Sequence, residues 1–231
     1  MSLSTASDLL RPLAPYKSTA IVVSLGAAVV LASGLLSRRA VRGKKKASSW
    51  NWDQEIVVVT GGSGGIGQEL VNGFARRGVT VVSLDVKPAP DTAPAGKNRS
   101  AVHHYQVDVT SRDAIRDVAT QIRTDLGADP TVLINNAGLA VGRPLLAGTE
   151  QTIRSVFDVN MLSHFWTTFE FVPSMVARDH GHVVSVASVA SYVTLASNVE
   201  YSCTKAGVQA FHEGLGQDLR HRYGTRSVLT R

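Results

Sequence analysis

A tyrosine and a lysine lie four residues apart in the stretch Tyr201-Ser-Cys-Thr-Lys205, within a part of the chain that is typical of a helix. At this spacing the two side chains share one helix face. A nearby ammonium group favours the ionised form of a phenol, so Tyr201 is predicted to exchange a proton near neutral pH. Ser188 precedes Tyr201 by 13 residues, and its hydroxyl is expected to hold a substrate oxygen. By itself the pattern also fits an exposed helix face, so its meaning depends on the rest of the chain.

A glycine-rich loop supplies a second chemical signal. Residues 60–67 read Thr-Gly-Gly-Ser-Gly-Gly-Ile-Gly and lie between a β-branched run and an amphipathic stretch. Glycine permits positive φ and close approach of the backbone to a ligand, and the N–H groups that begin a helix attract phosphate. In this strand–loop–helix context the pattern predicts a site for the pyrophosphate of a dinucleotide.

An acidic residue ends the second predicted strand, because Asp85 follows Gly67 by 18 residues. A carboxylate at this position accepts hydrogen bonds from the adenosine ribose and repels a 2′-phosphate. We therefore expect NAD to be preferred over NADP, a preference that Lys87 would weaken. The alternative is a glycine-rich turn with an unrelated surface aspartate.

The pattern of the chain after Glu55 predicts the elements that position these residues. Short apolar runs predict strands at 55–60, 79–84, 101–107, 131–134, 182–186 and 225–229. Amphipathic stretches predict helices at about 66–77, 111–126, 150–178 and 202–222. Continuous apolar strands that alternate with helices indicate an α/β fold with a doubly wound, Rossmann-like parallel sheet covered on both faces.

Together these residues resemble the motifs of the short-chain dehydrogenase/reductase family, in the family's order, over residues 55–223. Thr60-Gly61-x-x-x-Gly65-x-Gly67 is similar to the family's cofactor loop, and Asn135-Asn136-Ala137-Gly138 is similar to its NNAG element. Asn160 resembles the family's helix asparagine, and Ser188, Tyr201 and Lys205 have its catalytic spacing.

The resemblance implies four catalytic residues. Tyr201 would transfer the proton to or from the substrate oxygen, and Lys205 would assist it and bind the nicotinamide ribose. Ser188 would orient the substrate carbonyl or alcohol. Asn160 would hold a water that links Lys205 to solvent. The hydride would pass between the nicotinamide and the carbinol carbon.

The resemblance also implies a set of cofactor-binding residues and no metal. Asp108 and Val109 would meet the adenine, and Asn136 to Gly138 would pack beside the adenosine. The full set is Thr60, Gly61, Ser63, Gly65, Ile66, Gly67, Asp85, Asp108, Val109, Asn136, Ala137, Gly138, Tyr201 and Lys205.

Within the family, the chain resembles the membrane-associated branch of retinol dehydrogenases and 17β-hydroxysteroid dehydrogenases. Similar proteins also serve terpenoid and polyketide pathways of secondary metabolism. This resemblance implies a lipophilic alcohol or ketone as substrate, and a location at the endoplasmic reticulum or lipid droplets. It also implies a homo-oligomer built on the helices at 150–178 and 202–222.

The net charge of +6 is local, because residues 37–46 hold six Lys or Arg and no acid, which leaves the rest neutral. This balance argues against a nucleic-acid partner, and anionic lipid headgroups suit the basic cluster better. Residues 18–37 form a run of 20 uncharged positions, thirteen of them Ala, Val, Ile or Leu. That length suffices for a membrane helix, and the cluster that follows it predicts a cytosolic catalytic domain.

Three alternatives for this segment stay open at this stage. A cleaved signal peptide has its positive charge before the apolar run rather than after it. A mitochondrial presequence fits the Arg and Ser content, but its amphipathic repeat is not seen. A buried core helix would present polar residues on one face. The single cysteine, Cys203, excludes an internal disulfide and fits a reducing compartment.

The expected organisation is a tail at 1–17, a membrane helix at 18–37, a basic linker at 38–53 and an NAD-binding domain at 54–231. Compared with the family, the sequence ends at the sixth strand. A Pro-Gly turn, a substrate loop and a last strand are therefore expected to be missing, which would leave the substrate side open. A catalytically inactive nucleotide-binding or scaffold protein is the alternative function.

Overall fold

The computed structural model describes residues 31–33, 50–88, 102–225 and 228–230. The chain divides into two compact units, Met1–Ala47 and Ser48–Arg231. In the first unit, residues 31–33 are helical and exposed. The other residues of the predicted membrane helix, the tail at 1–17 and most of the basic linker lie outside the described residues. Among the helices that are described, none combines the length and the hydropathy that membrane crossing demands.

The second unit contains a six-stranded parallel sheet in the order β3-β2-β1-β4-β5-β6. Its strands are β1 Ile56–Thr60, β2 Thr80–Asp85, β3 Val102–Gln106, β4 Val132–Asn135, β5 Gly181–Ser185 and β6 Val228–Thr230. The direction of winding reverses between β1 and β4, and ligands of such sheets bind at the carboxyl ends of the strands at this point. The predicted α/β class and parallel sheet are confirmed.

Five helices accompany the sheet in the described part of this unit. They are α1 Gly65–Ala75, α2 Arg112–Leu126, α3 Glu150–Phe157, α4 Ser163–Ala177 and α5 Val199–His221. Side-chain caps set two of the starts, because the hydroxyls of Ser111 and Thr149 accept hydrogen bonds from N–H groups in the first turns of α2 and α3.

One long helix predicted at 150–178 is interrupted in the structure. A π-helical segment, Asp158–Leu162, separates α3 from α4. Asn160 lies in its centre and is fully buried. The polar atoms of its side chain bond to groups outside its own helix, and the periodicity of the sequence carries no sign of such contacts. Insertions of this kind occur frequently at functional sites.

The core forms two layers, one on each face of the sheet. Val57 and Val59 of β1 pack in the layer that includes Val71 of α1. Val58 packs in the opposite layer with Ile115 of α2 and Phe171 of α4. Because both faces of β1 are covered, all five of its residues are buried, which explains the continuous apolar run in the sequence.

Candidate active site

The loop between β1 and α1 requires glycine for backbone geometry and for close packing. Gly61 and Gly65 have φ values of +67° and +51°, in the left-handed region that favours glycine. A Cβ at Gly67 would lie 2.0 Å from the carbonyl oxygen of Gly61, so no side chain fits there. A Cβ at Gly64 or Gly65 would meet no atom of the described residues within 4 Å. The loop therefore presents an open cradle, which fits the phosphates of a dinucleotide.

A hydrogen-bonded junction joins the ends of β1 and β4 beneath this loop. The Thr60 hydroxyl accepts hydrogen bonds from the backbone N–H groups of Asn136 and Ala137 at 2.9 and 3.0 Å. The Asn136 side-chain amide donates to the carbonyl oxygens of Thr60 and Gly61 at 2.9 and 3.3 Å. Thr60, predicted to bind cofactor, is thus a buried support of the cavity, while Asn136 both supports and lines it.

A cavity of about 530 Å³ lies along the carboxyl ends of β1, β2 and β4, a volume typical of ligand sites. Nine predicted cofactor-binding residues line it, namely Gly61, Gly65, Ile66, Asp85, Asp108, Val109, Asn136, Ala137 and Gly138. The other predicted cofactor-binding residues are not among its lining residues; they are Thr60, Ser63, Gly67, Tyr201 and Lys205. Glycine cradle, carboxylate and cavity fit the dinucleotide that the sequence predicts.

Two hydrogen bonds hold the carboxylate of Asp85 at the edge of this cavity. Its Oδ2 accepts from the backbone N–H of Ser63 at 2.9 Å, and its Oδ1 accepts from the N–H of Lys87 at 3.0 Å. Each carboxylate oxygen retains a second lone pair. Asp85 is therefore oriented by the glycine loop and can still accept hydrogen bonds from ribose hydroxyls.

The turn after β3 brings Asp108 and Val109 to the same cavity. The strand ends at Gln106, so both residues follow it. Asp108 Oδ1 accepts from the N–H and the hydroxyl of Thr110 at 2.9 and 2.8 Å. Its carboxylate therefore stabilises the turn, and the buried Val109 supplies apolar lining.

Asn160 joins the cavity wall to the helix that carries the predicted catalytic pair. Its side chain bonds to both backbone polar groups of Leu139, which directly follows the NNAG element. Its Nδ2 also donates to the hydroxyl of Thr204 on α5 at 3.2 Å. The Asn160 side chain is therefore bonded to other residues of the same chain, and the water link to Lys205 that the family resemblance implies stays a prediction.

Tyr201 and Lys205 share one face of α5, as their spacing predicts. The Lys205 ammonium lies 5.7 Å from the centre of the Tyr201 ring and donates to the carbonyl oxygen of Val186 at 2.7 Å. Burial lowers the pKa of Lys205. A Cβ at Gly138, in the cavity wall, would lie 3.8 Å from Lys205 Nζ. Gly138 thus lies close to Lys205, although Lys205 itself is not among the residues that line the cavity.

Ser188 follows β5 and is half-buried. Its hydroxyl accepts from the N–H of Ala190 at 3.1 Å. The turn Val189–Ser191 is tied to α5, because the Ser191 hydroxyl donates to the carbonyl oxygen of Lys205 at 2.9 Å. This bond holds the segment that begins with Ser188 against the helix of Tyr201 and Lys205.

Seven cavity-lining residues lie outside the predicted set: Gly64, Leu84, Val86, Lys87, Val107, Leu139 and Val159. Six of them adjoin predicted cofactor-binding residues along the chain or follow one by two positions, so proximity to the motifs would have found them. Val159 adjoins Asn160, but its approach to the cavity depends on the π-helical segment, which sequence reasoning missed.

Comparison with known proteins agrees with this geometry. The model of the short chain dehydrogenase family matches residues 55–225. Dehydrogenase RED2 of Cochliobolus heterostrophus is 40% identical over 225 residues, which cover 96% of this chain and 83% of the relative. Human 17-beta-hydroxysteroid dehydrogenase 13 is 35% identical over 169 residues, or 72% of this chain. The chain spans only 56% of the length of that relative.

Solved structures share the fold. A short-chain dehydrogenase from Streptomyces avermitilis matches with a TM-score of 0.69 and 26% identity, covering 76% of this chain and 62% of its own. A metagenomic short-chain oxidoreductase in complex with NADP matches with a TM-score of 0.63 and 25% identity, covering 76% and 80%. The arrangement of strands around the cavity is thus one found in solved dehydrogenases.

Proposed function

Because the chain belongs to the short-chain dehydrogenase family, in the branch of the retinol and 17-beta-hydroxysteroid dehydrogenases, we propose that it transfers a hydride between NAD and a lipophilic alcohol or ketone. Members of the family are oxidoreductases that act on alcohol and keto groups with NAD(H) or NADP(H). The observation that supports the proposal is the nearness of Gly138, which lines the cavity of the glycine loop, to the Lys205 side chain. A Cβ built on Gly138 would lie 3.8 Å from Lys205 Nζ.

Three residues of the chain are proposed to have different roles in this reaction. Bound NAD(H) supplies or accepts the hydride. Tyr201 gives a proton to the substrate oxygen during reduction and takes it back during oxidation. The Lys205 ammonium favours the phenolate by its positive charge and donates a hydrogen bond to the nicotinamide ribose. Ser188 donates to the substrate oxygen and orients it beside the phenol.

NAD is proposed as the preferred cofactor because of the carboxylate of Asp85. It lies at the cavity edge and is held by the N–H groups of Ser63 and Lys87. A negative charge in this place accepts hydrogen bonds from ribose hydroxyls and repels the 2′-phosphate of NADP.

Apolar surface near the site supports a lipophilic substrate such as a retinoid, steroid or terpenoid alcohol. The segment between Ser188 and α5 exposes four large apolar side chains, Val189, Tyr192, Val193 and Leu195. Leu145 and the fully exposed Leu146 lie in another loop, and Leu145 lines a small cavity with Glu200, the residue before Tyr201. Contiguous exposed apolar surface marks ligand or membrane contact. A role in secondary metabolism is part of the same proposal and rests on resemblance alone.

Turnover by the purified full chain tests the proposal. We expect NADH to form from NAD with a retinoid, steroid or terpenoid alcohol, and we expect small hydrophilic alcohols to react poorly. Turnover restricted to hydrophilic alcohols would exclude the lipophilic substrate class. Binding of NADH without turnover of any of these alcohols would favour an inactive nucleotide-binding or scaffold protein.

The domain at 54–231 is proposed to be held on a membrane, at the endoplasmic reticulum or lipid droplets, with its catalytic side in the cytosol. The uncharged run at 18–37 and the basic cluster after it support this arrangement. Carbonate extraction of membranes tests it. The full chain should stay in the pellet, and its release into the supernatant would contradict the proposed anchor.

A homo-oligomer is proposed on the outer faces of α4 and α5. An apolar groove of about 560 Å³ lies there, and Phe165, Phe169, Val172, Phe211, Leu215 and Tyr223 are among its lining residues. Phe169 is half exposed, so a second copy of the chain would bury it. Phe169→Glu should reduce the molar mass measured by light scattering, and an unchanged mass would contradict this interface.

A further inference from the structure

A histidine interrupts the apolar face of α5. Val208 and Leu219 are buried on this helix, and Leu215 packs against the same core as Leu219. His212 lies between them, four residues after Val208 and three before Leu215. Residues at these spacings share one side of a helix, so the half-buried imidazole belongs to an otherwise apolar row. A polar ring in such a place requires hydrogen-bond partners to offset the cost of its burial.

His212 has a partner on each of two neighbouring strands. Its Nδ1 lies 3.0 Å from the hydroxyl oxygen of Ser185, the last residue of β5. A second hydrogen bond joins the ring to the backbone of Thr230 on β6. Burial lowers the pKa of His212, whereas the bond to Thr230 raises it, so the ring donates that bond and is neutral at physiological pH. Its Nδ1 accordingly accepts the hydroxyl proton of Ser185.

Ser185 directly precedes the backbone group that holds the predicted catalytic lysine. The N–H of the next residue, Val186, is bonded to β4 at 2.9 Å, and its carbonyl oxygen accepts from the Lys205 ammonium at 2.7 Å. Ser188 follows two residues later in the same segment. The bond from His212 is therefore made to the strand end from which both the acceptor of Lys205 and the predicted substrate-orienting serine continue.

The distance of His212 from Lys205 along α5 determines what this bond can do. At Lys205 two bonds join α5 to the segment after β5, one from its ammonium and one that its backbone carbonyl accepts from the Ser191 hydroxyl. His212 lies about 10 Å further along the helix axis, so its bond opposes tilting of α5 about Lys205. Tyr201 lies about 6 Å away on the other side of that lysine and would move in the opposite direction. Apolar packing is non-directional and does not replace a hydrogen bond in this role.

We propose that His212 is a positioning residue for the Tyr201–Lys205 pair, because its bond to Ser185 sets the direction of α5 against the end of β5. The hydrogen bond is a property of the folded chain and requires neither substrate nor cofactor. Only its consequence for hydride and proton transfer rests on the proposed function.

NMR of the lysine side chains tests the proposal without turnover. The full chain is labelled with 13C and 15N at its lysines, and the Lys205 signal is assigned by its loss in Lys205→Met. We expect His212→Phe and Ser185→Ala each to shift this signal, because each removes the bond that aligns the Val186 carbonyl with the ammonium. His221→Phe, at an exposed position in the last turn of α5, is the control and should leave it in place.

Ser185→Ala covers the case in which His212→Phe fails to fold, because it removes the same bond by the loss of one hydroxyl group. A merely structural role of His212 would lower the stability of these variants and leave the Lys205 signal where it is in the unsubstituted chain. An unchanged Lys205 signal in the variants that fold would therefore overturn the proposal.

Two polar replacements separate the two bonds of the ring. Asparagine places its amide near the position of Nδ1, which faces Ser185, whereas glutamine places its amide near the other ring nitrogen. We expect His212→Asn to restore most of the Lys205 signal of the unsubstituted chain and His212→Gln to leave it shifted. Restoration by glutamine and not by asparagine would assign the effect to the bond with Thr230 and contradict the role proposed for Ser185.

Steady-state kinetics measure the consequence for the reaction. Ser185→Ala should lower kcat about tenfold, because a small displacement of the reacting groups is costly. The dissociation constant of NADH should stay close to that of the unsubstituted chain, since the glycine loop is intact. An equal kcat in the two proteins would contradict the proposal. An inactive unsubstituted chain would contradict the proposed function and leave the NMR tests intact.

Discussion

Asn160 and Leu139 are joined by two hydrogen bonds across 21 residues of sequence. The Asn160 Oδ1 accepts from the Leu139 N–H at 2.8 Å, and its Nδ2 donates to the Leu139 carbonyl oxygen at 2.9 Å. The side-chain amide therefore pairs with a peptide unit as a neighbouring strand would. It attaches the wall of the cavity to the π-helical segment between α3 and α4.

Asn160→Ala should destabilise the protein strongly. The substitution leaves the half-buried peptide groups of Leu139 and the buried hydroxyl of Thr204 without these bonds, at a cost of about 2 to 4 kcal/mol. Urea unfolding measures the change. Asn51→Ala is the matched control, because Asn51 is exposed and makes no side-chain cap bond. Equal stabilities of the two variants would contradict the supporting role of Asn160.

Two glycines of α1 should respond to alanine in opposite directions. At Gly67 the added Cβ would lie 2.0 Å from the Gly61 carbonyl oxygen, so the loop must shift and NADH binding should be lost. At Gly73 nothing in the described residues lies within 4 Å of the new Cβ, and alanine should stabilise the helix by about 0.5 to 1 kcal/mol. NADH fluorescence and thermal unfolding of Gly67→Ala and Gly73→Ala test this pair.

Asp85→Ala should weaken the binding of NADH more than that of NADPH. The variant loses the acceptor for ribose hydroxyls and also the charge that repels a 2′-phosphate. Fluorescence titration with both cofactors gives the ratio of dissociation constants. Asp53→Ala, at an exposed position before β1, should leave this ratio unchanged. A ratio that is the same in Asp85→Ala and the unsubstituted chain would remove the basis for the NAD preference.

Tyr201→Phe should abolish most turnover while NADH still binds. The substitution keeps the ring and removes the group that exchanges the proton, a loss of about 10²- to 10⁴-fold in kcat/KM. Steady-state kinetics with the best alcohol substrate measure it. Tyr223→Phe alters an exposed tyrosine just after the end of α5 and serves as the control. Comparable activity of the two variants would exclude Tyr201 as the proton-transfer group.

Acid should destabilise the fold through His164. Its pKa falls from 6.5 to about 3 on folding, so between these pH values the unfolded chain binds a proton that the folded chain does not. The free energy of unfolding should therefore decrease as the pH falls below about 6.5, by at most about 1.4 kcal/mol per pH unit from this group. Urea unfolding at about pH 7.5 and about pH 5 measures the decrease.

His164→Phe cannot take up this proton, so its stability should fall less between the two pH values than that of the unsubstituted chain. His104 and His212, whose pKa values burial also lowers, are present in both proteins and add the same trend to each. Parallel pH dependences of the two proteins would show that His164 is protonated in the folded state.

The local pattern of residue types along the sequence was enough to predict the α/β fold. The predicted strands at β1 and β4 are continuous runs with few polar residues because both faces of the sheet are covered, and their ends differ from the observed ends by at most one residue. The glycine loop and the Tyr201–Lys205 spacing depend on backbone geometry over a few residues, so they could also be read along the chain. The sixth strand was predicted at 225–229, and the described residues place it at Val228–Thr230.

The sequence by itself determined the order of the elements and the residue types that meet at the site. Only the tertiary structure decided which of them face the cavity and which support it. Thr60 and Asn160 engage groups more than 20 residues away, and the ring of His164 on α4 meets the edge of Phe211 on α5. Such contacts depend on how distant segments pack, and neither hydrophobic periodicity nor motif spacing contains that information.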